Sequence, residues 1–317
     1  MIRDASRFLL RTMVQAMFLP IALLAHSGFA QAAPVEVADG VYALLGDNGE
    51  ATPENSGETA NAGFIVDTHG VIAVDTGVSS AFGERMLAAI AAITIQPVKL
   101  AVITHPVQEF LFGAAAFQAR GIPVLAHRET ATLMQQRCAT CLAKLTRLLG
   151  ADAMQGSKVV VPDRLVDGSR TLHVGRRKIE LLFDGWASTP GDLAVFDRQT
   201  GTLFAGGLVV AGRVPSLHDA NLKGWIAALT RLRKLPIRAI VPGFGPIGDG
   251  VEEIDQTLAY LQQLDVAVRT SYRNGESLIE AINDVHLPAF ESLRQYATVH
   301  PQNVQTAYRQ LEDADFH

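Results

Sequence analysis

Short apolar runs alternate with longer amphipathic segments from residue 35 to residue 275. Apolar and β-branched runs bounded by turn-forming residues predict strands, whereas apolar positions three and four residues apart predict helices. We therefore expect strands at 35–46 (around a glycine turn), 63–77 (a hairpin with a DTHG turn), 98–104, 123–127, 171–174, 178–183, 193–197, 202–207 and 239–243. Helices are expected at 79–93, up to Arg120, and at 128–150, 221–235 and 252–275.

These elements indicate a domain of the α/β class, because helices occur both between and outside the strands. The segment 47–62 is polar and rich in Gly, Asn and Glu, and it is expected to be an exposed loop. No linker interrupts residues 35–275, so we expect a single domain over 33–275. Residues 276–317 are expected to form a peripheral helical extension.

The N-terminus has the features of a secretory signal peptide. Three arginines within the first eleven residues precede an apolar run from Met13 to Leu24, and the small-residue pattern AQA follows at 30–32. This predicts a signal peptide over 1–32 with cleavage near Ala32, and hence a periplasmic or secreted protein. The apolar run is short for a membrane span, although an uncleaved anchor is an open alternative.

Composition and net charge bear on the class of protein. The chain has 48% hydrophobic and 19% charged residues, enough apolar material for a substantial core. The formal net charge is −5. No long basic stripe is present, which argues against a nucleic-acid-binding protein.

Cys138 and Cys141 lie on the expected 128–150 helix, on one face with Met134, Leu145 and Leu148. Because export implies an oxidising compartment, two readings stay open: packing on a buried stripe or a local disulfide. A redox or metal role is a third, weaker alternative, since a lone C-x-x-C on a helix is not specific.

Four turns that follow strands resemble those of the metallo-β-lactamase superfamily. They are VDTG (74–77), THPVQEFLFG (104–113), WASTPGDL (186–193) with LFAGG (203–207), and VPGFGPIG (241–248). The resemblance covers about residues 35–275. It implies a four-layer αββα sandwich with a site at one edge.

Three further segments resemble one branch of this superfamily in particular. TPENSGETANAGFIV, RVPSLHDANLKGW and VPGFGP are similar to the periplasmic quinoprotein-relay zinc-hydrolase branch. This likeness suggests a periplasmic quinoprotein dehydrogenase system as a partner.

The family motifs imply a set of zinc ligands, which this chain only partly carries. Catalytic zinc takes about three protein ligands plus water, and it lowers the pKa of that water to create a nucleophile. Of the positions that match, only His105 is an unchanged ligand, and Glu109 is a longer carboxylate in place of aspartate. The full set of corresponding positions is His105, Val107, Glu109, Phe110, Ser188, Gly207 and Phe244.

Val, Phe and Gly side chains donate nothing to a metal, and two phenylalanines would fill an emptied pocket with apolar volume. The leading hypothesis is therefore an exported protein with a degenerate metal site that acts as a non-catalytic binding or accessory protein, with no cofactor. The alternative is a zinc-dependent hydrolase of an ester, thioester or lactam with an atypical site. A minor alternative is metal-free catalysis with Ser188 as nucleophile, His105 as base and Glu109 as orienting acid.

Other polar residues are expected to have structural roles. His127, His173 and His218 match no zinc spacing and are assigned to the surface or the core. Asp219 is expected to help start the following helix. Asp75 and Asp192 are expected to support turns beneath the site rather than to bind metal.

Overall fold

The computed structural model describes residues 33–315, so the predicted signal peptide, residues 1–32, lies outside the described residues. Two β-sheets form the centre of the described part. The first has seven strands in chain order: β1 (Val35–Ala38), β2 (Val41–Leu44), β3 (Ala62–Asp67), β4 (Gly70–Val74), β5 (Val98–Val102), β6 (Val124–His127) and β7 (Arg164–Val166). Strands β1 to β4 pair antiparallel, and β4 to β7 pair parallel.

The second sheet has five strands in the order β12-β11-β10-β9-β8. They are β8 (Arg170–Val174), β9 (Arg177–Leu182), β10 (Ala194–Asp197), β11 (Thr202–Val210) and β12 (Ala239–Phe244). Only the β11–β12 pair is parallel, with Phe204 opposite Val241. Since β11 and β12 run in the same direction, their C-terminal residues reach the same end of the sheet.

Helices cover the outer faces of both sheets. They are α1 (Ser80–Ile93), α2 (Gln108–Leu111), α3 (Ala114–Ala119), α4 (Arg128–Leu149), α5 (Leu222–Leu232), α6 (Glu252–Arg273), α7 (Leu278–Asp284) and α8 (Tyr296–Asp315), with a 3-10 turn at Pro288–Phe290. No helix within residues 33–315 is long and apolar enough to cross a membrane.

Three apolar cores separate the layers. One lies between the two sheets and includes Ile72 and Phe204. The second joins the first sheet to its helices through Met86 and Phe117, and the third joins the second sheet to its helices around Trp225. Two sheets with helices outside confirm the predicted α/β class and its sandwich arrangement.

The expected helix up to Arg120 is divided in two, because the chain passes close to a neighbouring loop. A Cβ on Gly113 would lie 1.8 Å from the carbonyl oxygen of Thr76. Only glycine permits this approach, and α2 ends just before it. The short strand β7 was not predicted: it has three residues, two of them exposed, and so shows no apolar pattern.

The C-terminal extension is helical, as expected, but it is not peripheral. Helix α8 buries Val304 and Ala307 in the core around Trp225. The buried Asn303 accepts from the backbone N–H of Leu217 (2.8 Å) and donates to the carbonyl of Pro215 (2.7 Å). The extension therefore holds the segment just before α5.

The cysteines are free thiols on α4, with Cys138 buried and Cys141 partly buried. Burial raises the pKa of Cys138 to about 12. This agrees with the packing interpretation rather than with a local disulfide. The expected apolar stripe is shorter than predicted, because Leu148 is 46% exposed.

Candidate functional site

The turns singled out in the sequence meet at one edge of the sandwich, around a cavity of about 290 Å³. We call it the edge cavity. It is lined by His105, Val107, Glu109, Ser188, Thr189, Gly207, Val210, Arg213, Val214, Ser216, His218, Asp219, Trp225 and Phe244. Six of the seven ligand-equivalent positions are thus brought together there, and the seventh, Phe110, contacts the rings of His105 and Phe244.

His105 is oriented by Asp192. Its Nδ1 lies 2.7 Å from Asp192 Oδ1, and both side chains are buried. Asp192 also accepts from Ser188 Oγ (3.0 Å) and from the backbone N–H (2.6 Å) and Oγ1 (2.7 Å) of Thr189. One carboxylate therefore holds the whole Ser188–Asp192 turn against His105, the supporting role expected for Asp192.

The arrangement differs from the predicted order of Ser188, His105 and Glu109. Ser188 Oγ donates to Asp192, and within residues 33–315 it makes no hydrogen bond to His105. Glu109 likewise makes no hydrogen bond to His105 in the described chain. The acid that orients His105 is Asp192, and Ser188 is paired with that same carboxylate and not with the histidine.

A second buried carboxylate, that of Asp75, supports the turn that carries His105. Asp75 has a φ of 58° and accepts from the backbone N–H (2.8 Å) and Oγ1 of Thr104. Burial raises the pKa of Asp75 to about 7, against the opposing effect of these hydrogen bonds. Asp75 therefore fixes the residue that immediately precedes His105, which is the supporting role expected from the sequence.

Aromatic rings fill the space that the family motifs assign to metal ligands. Phe110 is fully buried, and its ring lies edge-on to His105 and to Phe244, with centroids 5.4 Å apart in both pairs. A Cβ on Gly207 would lie 2.4 Å from His105 Nδ1. Any side chain at position 207 thus requires His105 to move, so the glycine and the present position of the histidine ring depend on each other.

Besides Asp219, which is paired with Arg137, two charged groups line the edge cavity. Glu109 is half-buried overall, but its Oε2 is enclosed and has no partner, while its Oε1 accepts from Gln108 (3.3 Å). Burial raises the pKa of Glu109. The Arg213 guanidinium lies 4.2 Å from the centroid of the Phe244 ring. Its Nη2 donates to Gln295, and its Nη1 is enclosed without a partner.

Arg213 and Gln295 were not predicted as site residues. Arg213 belongs to the RVPSLHDANLKGW segment that carried the narrower resemblance, but no local pattern marks its side chain. A single charged residue next to a proline-containing turn was the only signal available. Gln295 lies in the extension, which was expected to be peripheral.

The remaining histidines do not join His105. His127 caps α4 by accepting from Glu129 N (3.2 Å), and its ring stacks on Phe183 at 4.1 Å. Burial lowers the pKa of His127. His173 is exposed on β8, and His218 is exposed at the rim of the edge cavity.

The expectation that Asp219 starts α5 is wrong, because the capping residue is Asn221, which accepts from Gly224 N (2.8 Å). Asp219 instead forms an ion pair with Arg137. Its carbonyl accepts from the indole N–H of Trp186 at 2.7 Å. The residue therefore ties α4 to the loop at the cavity rim.

The donors of the edge cavity do not fit a catalytic zinc ion. His105 and Glu109 are the only residues among the expected ligands that offer strong donors, whereas such a site takes three protein ligands. Across residues 33–315, no group of three or more His, Cys, Asp or Glu side chains is arranged to hold a metal.

The sequence and the fold are both similar to those of one known protein family. A family model described as "Metallo-beta-lactamase superfamily" matches residues 56–243. A metallo-beta-lactamase from Pontibacter korlensis is similar in structure, with a TM-score of 0.59 and 26% identity over 72% of this chain and 98% of that one. TMB-1, studied for substrate and inhibitor binding, has a TM-score of 0.57 and 18% identity over 73% and 96% of the two chains, a likeness of fold. No curated protein matches the sequence.

Proposed function

The chain belongs to the metallo-β-lactamase superfamily, and we propose that it is an exported member that works without a metal, as a binding or accessory protein rather than a hydrolase. One observation carries the proposal. The positions that correspond to metal ligands are occupied by a packed group of rings, those of His105, Phe110 and Phe244, with Gly207 directly against the histidine.

The physical reason is that a metal site cannot simply lose ligands. Removing the ion leaves its charged ligands buried without partners, which costs several kcal/mol (~3–5) for an uncompensated buried charge. In this protein the polar ligands are largely replaced by apolar side chains that pack on each other. The remaining histidine is paired with Asp192 instead. Such a site is stable without an ion.

Export and the partner rest on the sequence. The basic, apolar and small-residue segments of 1–32 support a periplasmic or secreted protein. The motifs shared with the quinoprotein-relay branch support an accessory role beside a periplasmic quinoprotein dehydrogenase system.

The first experiment is metal analysis of the full chain, purified without chelator, together with melting curves before and after EDTA. We expect substoichiometric zinc and iron and the same Tm in both curves. Near-stoichiometric metal together with a fall in Tm after EDTA would contradict the proposal.

The alternative function is a zinc-dependent hydrolase of an ester, thioester or lactam. The observation in its favour is the 26% identity with the Pontibacter korlensis metallo-beta-lactamase over nearly all of that chain. Turnover of a chromogenic lactam, ester or thioester that requires added zinc supports this alternative. Zinc-independent turnover that is lost in Ser188→Ala supports serine catalysis.

A further inference from the structure

The edge cavity contains two enclosed polar atoms of opposite chemical character that lack partners. Glu109 Oε2 is an acceptor, and Arg213 Nη1 is a donor. Within residues 33–315 they do not hydrogen-bond to each other, although Glu109 and Arg213 attract one another over a longer distance. Enclosed polar atoms are almost always paired in native proteins, and leaving one unpaired is costly. Each atom can therefore take a partner from outside the chain, either a water molecule or a ligand.

Both groups are held in place before any ligand arrives. The Arg213 guanidinium stacks on Phe244 and donates through Nη2 to Gln295. The backbone around Arg213 is fixed as well, since Val214 N–H donates to the Arg294 carbonyl at 3.1 Å. Glu109 is held through its Oε1 by Gln108. Preorganised groups lose little freedom on binding, which favours affinity for a small ligand.

Most of the exposed surface of the cavity wall is apolar, although polar side chains also line it: His105, Ser188, Thr189, Ser216, His218 and Asp219. Val107, Val210, Val214 and Trp225 line it together with the Phe244 ring. The volume, about 290 Å³, lies just below the usual range for small-molecule sites, about 300–1,000 Å³. A ligand of this site thus combines a small apolar body with one acceptor and one donor.

We propose that the edge cavity binds a free α-amino acid with an apolar side chain, whose carboxylate accepts from Arg213 Nη1 and whose ammonium group donates to Glu109 Oε2. This inference rests on the proposed function, because it needs a cavity without metal. A simple carboxylic acid leaves Glu109 unpaired, and a simple amine leaves Arg213 unpaired. The zwitterion pairs both groups and keeps the net charge of the site unchanged.

The test is calorimetric titration of the EDTA-treated full chain with L-valine, L-leucine and L-phenylalanine. Each amino acid is compared with its deamino acid and its decarboxylated amine; for leucine these are 4-methylpentanoate and 3-methylbutylamine. We expect at least one amino acid to bind, and each of its two analogues to bind about tenfold more weakly or worse, since each loses one charge-assisted hydrogen bond. The neutral 4-methylpentanamide should also bind more weakly than leucine.

Two variants assign the contacts. Arg213→Gln should bind the amino acid about as weakly as the wild type binds the amine, and Glu109→Gln about as weakly as the wild type binds the deamino acid. Arg309→Gln, an exposed arginine on α8, is the matched control and should bind like the wild type.

Absence of binding by all three amino acids overturns the inference, as does an analogue or the amide that binds as tightly as its amino acid. Because the wild-type series alone decides this, a variant that fails to fold does not obscure the result. Failure of amino-acid binding in a metal-free protein leaves the proposed function standing. Stoichiometric zinc together with a fall in Tm after EDTA would contradict both the proposed function and this inference.

Discussion

Replacing Gly207 by alanine tests the close packing of this glycine against the His105 ring. The new Cβ would lie 2.4 Å from His105 Nδ1 and 2.5 Å from His105 Cε1, so the imidazole must move. Overpacking of this kind costs about 1–3 kcal/mol. Displacing the ring also breaks its 2.7 Å bond to Asp192, and losing a hydrogen bond to a charged group costs about 1.5–3 kcal/mol.

Together these effects predict that Gly207→Ala lowers the free energy of unfolding by about 2.5–6 kcal/mol. The measurement is urea unfolding at equilibrium, followed by circular dichroism. Gly168→Ala is the matched control, because a Cβ there meets no atom within 4 Å and its φ is not positive. That variant should change stability by less than about 1 kcal/mol.

A double-mutant cycle with His105→Ala identifies the cause. Without the imidazole, the new methyl group has room, so Gly207→Ala should cost far less in the His105→Ala background. An equal cost in both backgrounds would refute the reasoning, because the penalty would then come from the backbone at position 207 and not from the histidine ring.

Two further changes probe the supports of the fold and of the site. Arg177→Met should lower the free energy of unfolding, measured in urea, by about 3–5 kcal/mol, because it leaves Asp197 buried without its cation. Arg198→Met, which removes an exposed ion pair, should lower it by less than about 1 kcal/mol. Equal costs for the two variants would contradict this prediction. The pKa of Asp75 is about 7 in the folded protein, against an ordinary value of 3.8, so the folded state holds this proton more tightly than the unfolded state. The free energy of unfolding should therefore fall as the pH rises from about 4 to 7, by at most about 1.4 kcal/mol per pH unit. Asp75→Asn should remove this part of the slope in urea unfolding measured between pH 4 and 8, and an unchanged slope would assign it to other groups.

Most of the fold was predictable because its elements have local patterns. The α4 and α6 helices and the β3–β4 hairpin show their periodicity within a few residues, and the structure places them within a few residues of the expected bounds. The division between α2 and α3 was not predictable in this way. It depends on how closely Gly113 approaches Thr76, a contact between residues 37 positions apart.

The same distinction holds for the site. The order of the turns was enough to predict that His105, Glu109 and Ser188 face one cavity. It was not enough to choose between Asp192 and Glu109 as the partner of His105, because that depends on side-chain directions across 87 residues of sequence. Arg213 was missed for a related reason: its position is set by Gln295, 82 residues further along the chain.

The attachment of the extension to the cavity wall affects when the site can form during folding. Arg213 is held by Gln295, and the backbone of Leu217 is held by Asn303. The wall of the edge cavity is therefore complete only when these residues of the extension are in place. Contacts across more than 80 residues form only after a large loop has closed, which slows folding. A chain that is ordered only as far as α6 has both sheets but lacks Gln295, the residue that holds Arg213. The proposed ligand binding therefore depends on the C-terminal extension, because Gln295 and Asn303 hold the cavity wall in place.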